Sequence, residues 1–204
     1  MVKYELMHKN IACGVIDFDE EAGRITGYKD AMNGLSPFLG HADVQKIRKW
    51  WEMRAVPASR HAMQQVIQTA GCINTGVYLA KNLALSMTDT YWIRPVGLPV
   101  SYEDVSFSIL AAYHDGKIPY HNATSYDPNA SLGGQMEKYW DLSGAKPVLV
   151  KESYKYFGQQ SVNEVFASLL HKRQQTEIPF VEYTAAVTED RGILSMCQAF
   201  TSEK

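Results

Sequence analysis

Three features of the C-terminal half have the residue types of a phosphate-binding site. The loop Ser131–Gln135 contains Gly133 and Gly134, which allow backbone N–H groups to approach an anion closely. Lys151 ends a predicted strand, where a buried ammonium group needs a carboxylate or a phosphate as its partner. Glu164 lies on the predicted helix that follows. A flexible loop, a strand lysine and a helix glutamate together are typical of sites that hold nucleotide phosphates.

Each of these features also has an ordinary structural interpretation. The glycine loop matches neither GxGxxG nor GxxxxGK[ST], so by spacing alone it is better explained as a simple turn. Lys151 fits an edge-strand lysine whose flexible stem reaches water. Ser161-Val-Asn-Glu164 fits a capping box, in which the glutamate binds the backbone at the start of the helix. Spacing does not separate a capping Glu164 from one that pairs with Lys151.

The composition is that of an ordinary globular protein. The chain has 204 residues, of which 46% are hydrophobic and 21% charged, so it can bury a core. Its formal net charge of -2 gives no indication of direct nucleic-acid binding. No apolar run approaches the roughly 18 residues of a membrane span, and the first ten residues do not form a signal peptide. We therefore predict a cytoplasmic protein without a membrane segment.

The cysteines and histidines indicate neither a metal site nor a disulfide framework. Cys13, Cys72 and Cys197 are far apart and odd in number, which favours a reducing compartment. The six histidines lack metal-ligand spacing, and the absence of a GxSxG motif argues against a serine-histidine-aspartate triad. We predict no metal site, and we interpret Cys197 as a core thiol rather than a nucleophile.

The apolar pattern predicts an α+β fold whose first part, residues 1–119, contains short strands and three helices. The predicted strands are Val2–Leu6, Ile11–Asp19, Arg24–Tyr28 and Tyr91–Pro95, and the predicted helices are His41–Met53, Ala58–Ala70 and Asn74–Ser86. Trp50 and Trp51 share a helix face and are predicted to lie in the core. We interpret Arg54, Arg60 and His61 as a solvated helix end, with an anion site as the weaker alternative.

The second part, residues 120–204, has a hairpin–helix–hairpin pattern. We place the domain boundary near Tyr120, where the chain becomes rich in Asn, Pro, Ser and Thr. The predicted strands are Glu137–Leu142, Pro147–Lys151, Phe180–Val187 and Ile193–Phe200, and the predicted helix is Ser161–Arg173. The apolar residues Val162, Val165, Phe166, Leu169 and Leu170 fall on one face of that helix.

This second part resembles the small lobe of HipA-like serine/threonine kinases. The resemblance lies in Ser131-Leu-Gly-Gly-Gln-Met-Glu-Lys138, in the strand that ends at Lys151 and in Asn163-Glu164. The earlier segment Trp50-Trp-Glu-Met-Arg-Ala-Val-Pro-Ala-Ser-Arg60 is similar to the front region of bacterial HipA-like proteins. The similarity is patchy, but it runs in order from about residue 50 to residue 200. It implies a kinase-like small lobe that ends at the hinge.

The resemblance implies two roles for the glycine loop. Ser131 matches the serine that these kinases autophosphorylate, which expels the loop and switches the enzyme off. Gly133, Gly134 and Gln135 match the loop that covers the phosphates. Here Gly133-Gly134-Gln135-Met136 stands where the family more often has alanine, glycine and glutamine, so the detailed loop geometry departs from the family pattern.

The resemblance also implies the contacts to the nucleotide. Lys151 matches the nucleotide-binding lysine, and Glu164 matches the helix glutamate that holds this lysine toward the phosphates. Residues 196–200 fall where the hinge offers backbone groups to adenine, which makes Gln198 a nucleotide-binding candidate.

Kinase catalysis needs an aspartate that positions the acceptor hydroxyl, and an asparagine and a second aspartate that bind magnesium. In HipA-like kinases these residues lie in a helical lobe after the hinge, and no HxD or DFG-like segment follows the predicted hinge at residues 196–200 in this sequence. We therefore expect ATP and magnesium as cofactors when the missing lobe is supplied, only weak ATP binding without it, and no activity of the chain alone. The resemblance implies as partner a second chain with that lobe, or an antitoxin-like protein, because a helix-turn-helix antitoxin neutralises these kinases.

The substrates in this family are proteins and include aminoacyl-tRNA synthetases. The expected function is therefore a contribution of ATP-phosphate binding to phosphorylation of a serine or threonine hydroxyl. A function of a different class is also compatible with the sequence. The chain would then be a non-catalytic binding or regulatory module that keeps the kinase scaffold without turnover.

Overall fold

The computed structural model describes residues 1–60, 63–107, 126–134, 136–144, 146–153, 156–174 and 177–200. These residues form an α+β fold, as predicted. They divide into two compact units, the first made of 1–107 and 126–134 and the second of 136–200. The predicted domain boundary near residue 120 lies outside the described residues.

The first unit contains a four-stranded antiparallel sheet. Its strands are β1 (Val2–His8), β2 (Ile11–Asp19), β3 (Arg24–Asp30) and β4 (Tyr91–Pro95), in the order β3-β2-β1-β4. All four were predicted, with β1 and β3 slightly longer than expected. Side chains alternate between the two faces of a strand, and on β2 this alternation sends Ile16 and Phe18 into the core.

The helices of the first unit are α1 (Val44–Arg54), α2 (Met63–Thr69), α3 (Thr75–Lys81) and α4 (Tyr102–Val105), followed by a 3-10 helix at Pro128–Ser131. α1 begins after Asp43, whose carboxylate accepts a hydrogen bond from the Lys46 N–H at 2.8 Å. Trp50 and Trp51 are buried in the core that α1 covers. The prediction that both tryptophans are core residues is confirmed.

α3 is shorter than the predicted helix Asn74–Ser86. It ends at Lys81, and Leu83 and Ala84 adopt positive φ angles of 52° and 50°. The Ile93 N–H of β4 donates to the Leu83 carbonyl at 2.8 Å. The helix therefore ends in a left-handed turn at Leu83 and Ala84, and the Leu83 carbonyl pairs with β4.

Arg54 and Arg60 are buried, each with 7% of its surface exposed. Arg54 donates to the carboxylate of Asp89 and to two backbone carbonyls, and Arg60 donates to the carbonyl groups of residues 132–134. The interpretation of a solvated helix end is therefore wrong for these two arginines. His61 lies outside the described residues.

The second unit contains a second four-stranded antiparallel sheet and one long helix. The strands are β5 (Lys138–Asp141), β6 (Val148–Glu152), β7 (Thr184–Thr188) and β8 (Gly192–Gln198), in the order β5-β6-β8-β7. A 3-10 helix at Tyr156–Gly158 leads into α5 (Gln159–Gln174). The hairpin–helix–hairpin pattern is confirmed. No helix among the described residues is both long and apolar enough to cross a membrane.

α5 packs on the second sheet with a polar face. Ser161 and Ser168 are buried, and Glu164 lies between them on the same side of the helix. The opposite side carries Val162, Phe166, Leu169 and Leu170, all exposed, with Phe166 64% and Leu169 56% exposed. We call these four residues the apolar face of α5. Polar contacts, rather than burial of the apolar stripe, therefore position this helix.

Candidate functional site

Lys151 and Glu164 form an ion pair on one face of the second sheet. Lys151 Nζ lies 2.6 Å from Glu164 Oε1, a distance typical of a charge-assisted hydrogen bond. β6 supplies the lysine and α5 supplies the glutamate. The lysine side chain is only 16% exposed, so the ion pair is partly shielded from screening by salt. The structure therefore brings together the two residues that the resemblance to kinases pairs.

Tyr183 is the third member of this cluster. Lys151 Nζ donates to the Tyr183 hydroxyl at 2.7 Å and lies 4.6 Å from the centroid of the tyrosine ring. The Tyr183 N–H donates to Ser168 Oγ at 3.0 Å, so α5 also anchors this second partner of the lysine. Sequence reasoning missed Tyr183, because nothing in the sequence distinguishes it among the 12 tyrosines of the chain.

The start of α5 decides between the two interpretations of Glu164. The helix begins at Gln159, so Ser161 is its third residue and is fully buried. The capping residue of a helix instead lies just before the first helical turn. The capping-box interpretation is therefore wrong. The earlier helix start places Glu164 in the second turn, on the side that faces β6.

The two partners keep Lys151 charged. Burial, the largest single influence, lowers the pKa of Lys151, but the hydrogen bonds that its ammonium group donates to Glu164 and Tyr183 together raise it above the usual lysine value. A raised pKa in the folded state means that the pair stabilises the second unit fully below the ordinary lysine pKa. This stabilisation is lost as the pH rises through the raised pKa. At neutral pH the site therefore presents a cation.

The Lys151 ammonium group has one N–H donor left for a ligand. An ammonium has three donors, of which Glu164 and Tyr183 accept two. Within the described ranges no third acceptor is bound to it. A lysine held by two partners loses little additional side-chain freedom when it binds an anion. The cluster is therefore suited to donate one further charge-assisted hydrogen bond, for which a phosphate oxygen is a suitable acceptor.

The glycine loop belongs to the first unit, whereas Lys151 and Glu164 belong to the second. Arg60 Nη2 donates to the Leu132 and Gly134 carbonyls at 2.5 and 2.9 Å, so the carbonyl groups of this loop converge on a guanidinium. The Gly133 N–H donates to the Ser131 carbonyl at 3.1 Å. In this conformation the Gly133 N–H is therefore used inside the loop.

Gly133 and Gly134 are needed for two different reasons. A side chain at Gly133 would overlap the carbonyl oxygen of Met53, so only glycine fits against α1. Gly134 has a φ of 97°, a conformation that other residues rarely adopt. Gln135, the third loop residue that the resemblance assigned to the nucleotide, lies outside the described residues.

Ser131 ends the 3-10 helix Pro128–Ser131 and is 9% exposed. Its Oγ donates to the Pro128 carbonyl at 3.3 Å. The hydroxyl is therefore turned toward its own helix, and a phosphate on it would require this segment to move.

Gln198 is the last residue of β8 and is exposed. In the sheet, Lys151 lies opposite Ser195, so Gln198 lies three residues further along β8, roughly 10 Å away. The pairing of β7 with β8 ends at Met196. Cys197 and Gln198 are consequently unpaired on the β7 side of the sheet within the described residues, which leaves this end of β8 open.

Cys197 is buried on β8, opposite Leu149. Burial raises the pKa of this thiol above its ordinary value. A buried, protonated thiol is a poor nucleophile, in agreement with the interpretation as a core residue. The described residues contain no group of three or more His, Cys, Asp or Glu side chains that could hold a metal ion.

Replacing Tyr183 by phenylalanine is expected to lower the pKa of Lys151, because the hydroxyl that favours the charged ammonium is removed while burial stays. The measurement is a carbon NMR titration of the lysine ε-methylene groups. Tyr139→Phe removes a hydroxyl from the neighbouring strand β5 and is the matched control, with an unchanged Lys151 pKa. Equal Lys151 pKa values in Tyr183→Phe and the unaltered protein would contradict the role of this hydroxyl.

Comparison of the chain with models of protein families, with curated proteins and with solved structures found no match.

Proposed function

We propose that the second unit is the nucleotide-binding small lobe of a HipA-like serine/threonine kinase and that Lys151 binds the phosphates of ATP. The observation that carries this proposal is the ion pair of Lys151 with Glu164, with its 2.6 Å distance. In kinases the same pairing of a strand lysine with a helix glutamate holds the lysine toward the phosphates. The protein then acts in the cytoplasm on a protein serine or threonine.

In the proposed site, different residues bind different parts of ATP. Glu164 and Tyr183 fix the ammonium of Lys151, whose remaining donor binds a phosphate oxygen. The open end of β8 at Gln198 offers backbone groups to the adenine ring. The resemblance also assigns the loop residues Gly133, Gly134 and Gln135 to the phosphates, a role for which the Gly133 N–H would have to leave the Ser131 carbonyl.

Magnesium would accompany ATP rather than bind first to the described residues. These residues contain no cluster of three acidic, histidine or cysteine side chains. In the proposed kinase an asparagine and an aspartate of the catalytic lobe would hold the metal, which would supply positive charge at the phosphates. The acceptor-positioning aspartate belongs to the same lobe. The 204-residue chain alone therefore binds nucleotide weakly and transfers no phosphate.

The apolar face of α5 supports a polypeptide partner for this unit. Four apolar side chains at helical spacing, with Phe166 64% exposed, form a contiguous stripe that soluble monomers seldom expose without a function. The stripe ends at Lys172 and Arg173, so the complementary surface carries apolar residues with acidic residues at one end. We propose that the catalytic lobe covers this stripe. An antitoxin-like protein is the other partner that the resemblance implies.

Replacing Phe166 by serine is expected to change the stability of the second unit by less than about 1 kcal/mol, because the side chain lies on the surface. The same change should reduce self-association, since it interrupts the apolar stripe. Chemical denaturation and sedimentation measure these two effects. Leu194→Ser, at a residue that is 5% exposed, is the control and should cost about 3 kcal/mol. A comparable loss in Phe166→Ser would mean that α5 packs with its apolar face inward.

The proposed function is tested by titrating the protein into magnesium ATP and recording phosphorus NMR spectra, which detect weak binding. We expect the phosphate resonances of ATP to broaden. In a separate assay with radiolabelled ATP, we expect no label on Ser131. ATP resonances that stay sharp at millimolar protein would contradict nucleotide binding. Stoichiometric labelling of Ser131 would contradict the prediction that the chain alone is inactive.

A non-catalytic binding module is the second candidate function, and the apolar face of α5 favours it independently of Lys151. Such a module would bind its protein partner with the same affinity in Lys151→Met and in the unaltered chain, and ATP would not affect it. Dependence of partner binding on ATP would favour the kinase proposal instead.

A further inference from the structure

The first unit contains a cavity of about 400 Å³ to which the proposed kinase function assigns no ligand, although Ser131 forms part of its wall. Its volume lies in the range of small-molecule sites. α1 supplies Trp50 and Met53 to the wall, the loop before α1 supplies Phe38, and the segment before β4 supplies Thr88 and Asp89. The cavity wall therefore combines aromatic and apolar side chains with polar and charged ones.

The charges in the cavity wall compensate each other. Arg54 Nη1 and Nη2 donate to the two oxygens of Asp89 at 2.7 and 2.8 Å. The same guanidinium also donates to the carbonyls of Ala84 and Tyr91. An anionic ligand such as a phosphate therefore meets an arginine that is already bound on all three nitrogens. The cavity favours a neutral ligand.

Asp89 keeps capacity for one further donor. A carboxylate accepts about four hydrogen bonds, and Asp89 accepts two from Arg54 and one from the Tyr91 N–H at 2.9 Å among the described residues. Oδ2 accepts one of these three. The side chain is 37% exposed, so a hydroxyl group in the cavity reaches it.

The loop that carries Phe38 has an unusual backbone, which is an observation independent of the cavity. Phe38 and Leu39 both have a φ of 64°, and Gly40 follows with 82°. Two consecutive side-chain-bearing residues in the left-handed region cost free energy, and such strain persists where the surroundings enforce it, often at ligand-binding sites.

Asp30 holds this strained loop at both ends. Its carboxylate accepts hydrogen bonds from Ser36 Oγ at 2.7 Å, from the Met32 N–H at 2.6 Å and from the Ala42 N–H at 3.2 Å. The Gly40 N–H closes the loop on the Ser36 carbonyl at 2.8 Å. The network keeps the loop that carries Phe38 at the cavity without any ligand, so the aromatic wall is formed in advance.

We propose that this cavity binds a neutral aromatic group that carries one hydroxyl, a phenol-type group. Its ring contacts Phe38 and Trp50, and its hydroxyl donates to Asp89. Aromatic walls favour a flat ring through offset or edge contacts, and the remaining acceptor position of Asp89 selects for the hydroxyl. The source is either a free phenolic compound or a tyrosine side chain of a peptide.

Fluorine NMR with para-fluorophenol and para-fluoroanisole as probes tests the proposal, because the two differ only in the hydroxyl hydrogen and a methyl group. We expect the fluorine resonance of para-fluorophenol to broaden in the presence of the full chain, and we expect para-fluoroanisole to bind about fivefold more weakly. Competition by N-acetyl-tyrosinamide at a lower concentration than by free phenol identifies a peptide side chain as the source. Binding of para-fluorophenol without such competition identifies a free phenolic compound.

Phe38→Ala should weaken the binding of para-fluorophenol about fivefold, because the aromatic contact is lost. Phe157→Ala is the matched control, since Phe157 is an exposed phenylalanine of the second unit with a φ of 53°, and it should leave binding unchanged. Met53→Trp, at a residue that is 63% exposed, should block the cavity without removing a buried group. Absence of para-fluorophenol binding, equal binding of the two probes, or full binding in a folded Met53→Trp protein overturns the proposal.

Discussion

Lys151→Met is expected to weaken ATP binding by about 10- to 100-fold, because a hydrogen bond from a charged donor to phosphate contributes about 1.5–3 kcal/mol. Methionine keeps much of the length and apolar surface of the lysine stem, so β6 should retain its packing. Phosphorus NMR titration of magnesium ATP measures the effect, and circular dichroism checks that the second unit remains folded.

Two further variants separate the charge of Lys151 from its positioning. Lys172→Met removes a lysine of the same unit that is 64% exposed. It should leave the affinity for ATP unchanged, apart from the small effect of losing one positive charge. Glu164→Gln keeps the size of the side chain but removes the charge that holds the ammonium, so we expect an intermediate loss. If Lys151→Met and Lys172→Met have the same affinity for ATP, Lys151 does not bind the phosphates.

Strand prediction succeeded for most strands of both units because local information sufficed, although β7 begins at Thr184 and not at the predicted Phe180. β1 and β2 alternate apolar and polar residues around the short turn at Lys9-Asn10, and the same reasoning located β5 and β6 around residues 142–147. In each hairpin the pairing partner is the next segment of the chain. Helix ends were less predictable, since α3 ends where β4 binds the Leu83 carbonyl, a contact between residues that are distant in sequence.

The orientation of α5 was not predictable from its apolar pattern. Helical spacing shows that Val162, Phe166 and Leu169 share a face, but it does not show whether this face contacts the sheet. Lys151 settles the orientation, because a mostly buried ammonium needs a charged partner and Glu164 lies on the opposite, polar face. The pair itself was expected only through the resemblance to kinases. Tyr183 was not expected at all, because its role depends on the fold of the hairpin after α5.

The buried arginines show a second limit of local reasoning. Arg54 ends α1, and a basic residue in the last turn of a helix is typical of a solvated end that faces the helix dipole. Its partners are Asp89 and the carbonyls of Ala84 and Tyr91, which lie 30 to 37 residues further along the chain. A sequence pattern around residue 54 contains no information about these contacts.

Arg54→Met should therefore destabilise the first unit strongly, by about 2–4 kcal/mol, because the buried Arg54 donates to the half-exposed Asp89 and to two backbone carbonyls that then lose their charged donor. The variant leaves the Ala84 carbonyl without its charged donor in a fully buried position. It also leaves Asp89 with the Tyr91 N–H as its one remaining bond among those described. For a unit of this size we expect the midpoint of thermal unfolding to fall by about 10 °C or more.

Tryptophan fluorescence follows this transition, because Trp50, Trp51 and Trp92 belong to the first unit and Trp50 lies 4.9 Å from the Arg54 guanidinium. Lys3→Met is the control in the same unit. Its ion pair with Asp17 is exposed, with the lysine side chain 65% exposed, and should contribute at most about 1 kcal/mol. Arg54→Lys keeps the charge, but one ammonium group cannot make the two-nitrogen contact with the carboxylate and also bind both carbonyls. Its loss of stability should therefore lie between those of Arg54→Met and Lys3→Met. Similar midpoints for Arg54→Met and Lys3→Met would show that the buried network does not stabilise the unit.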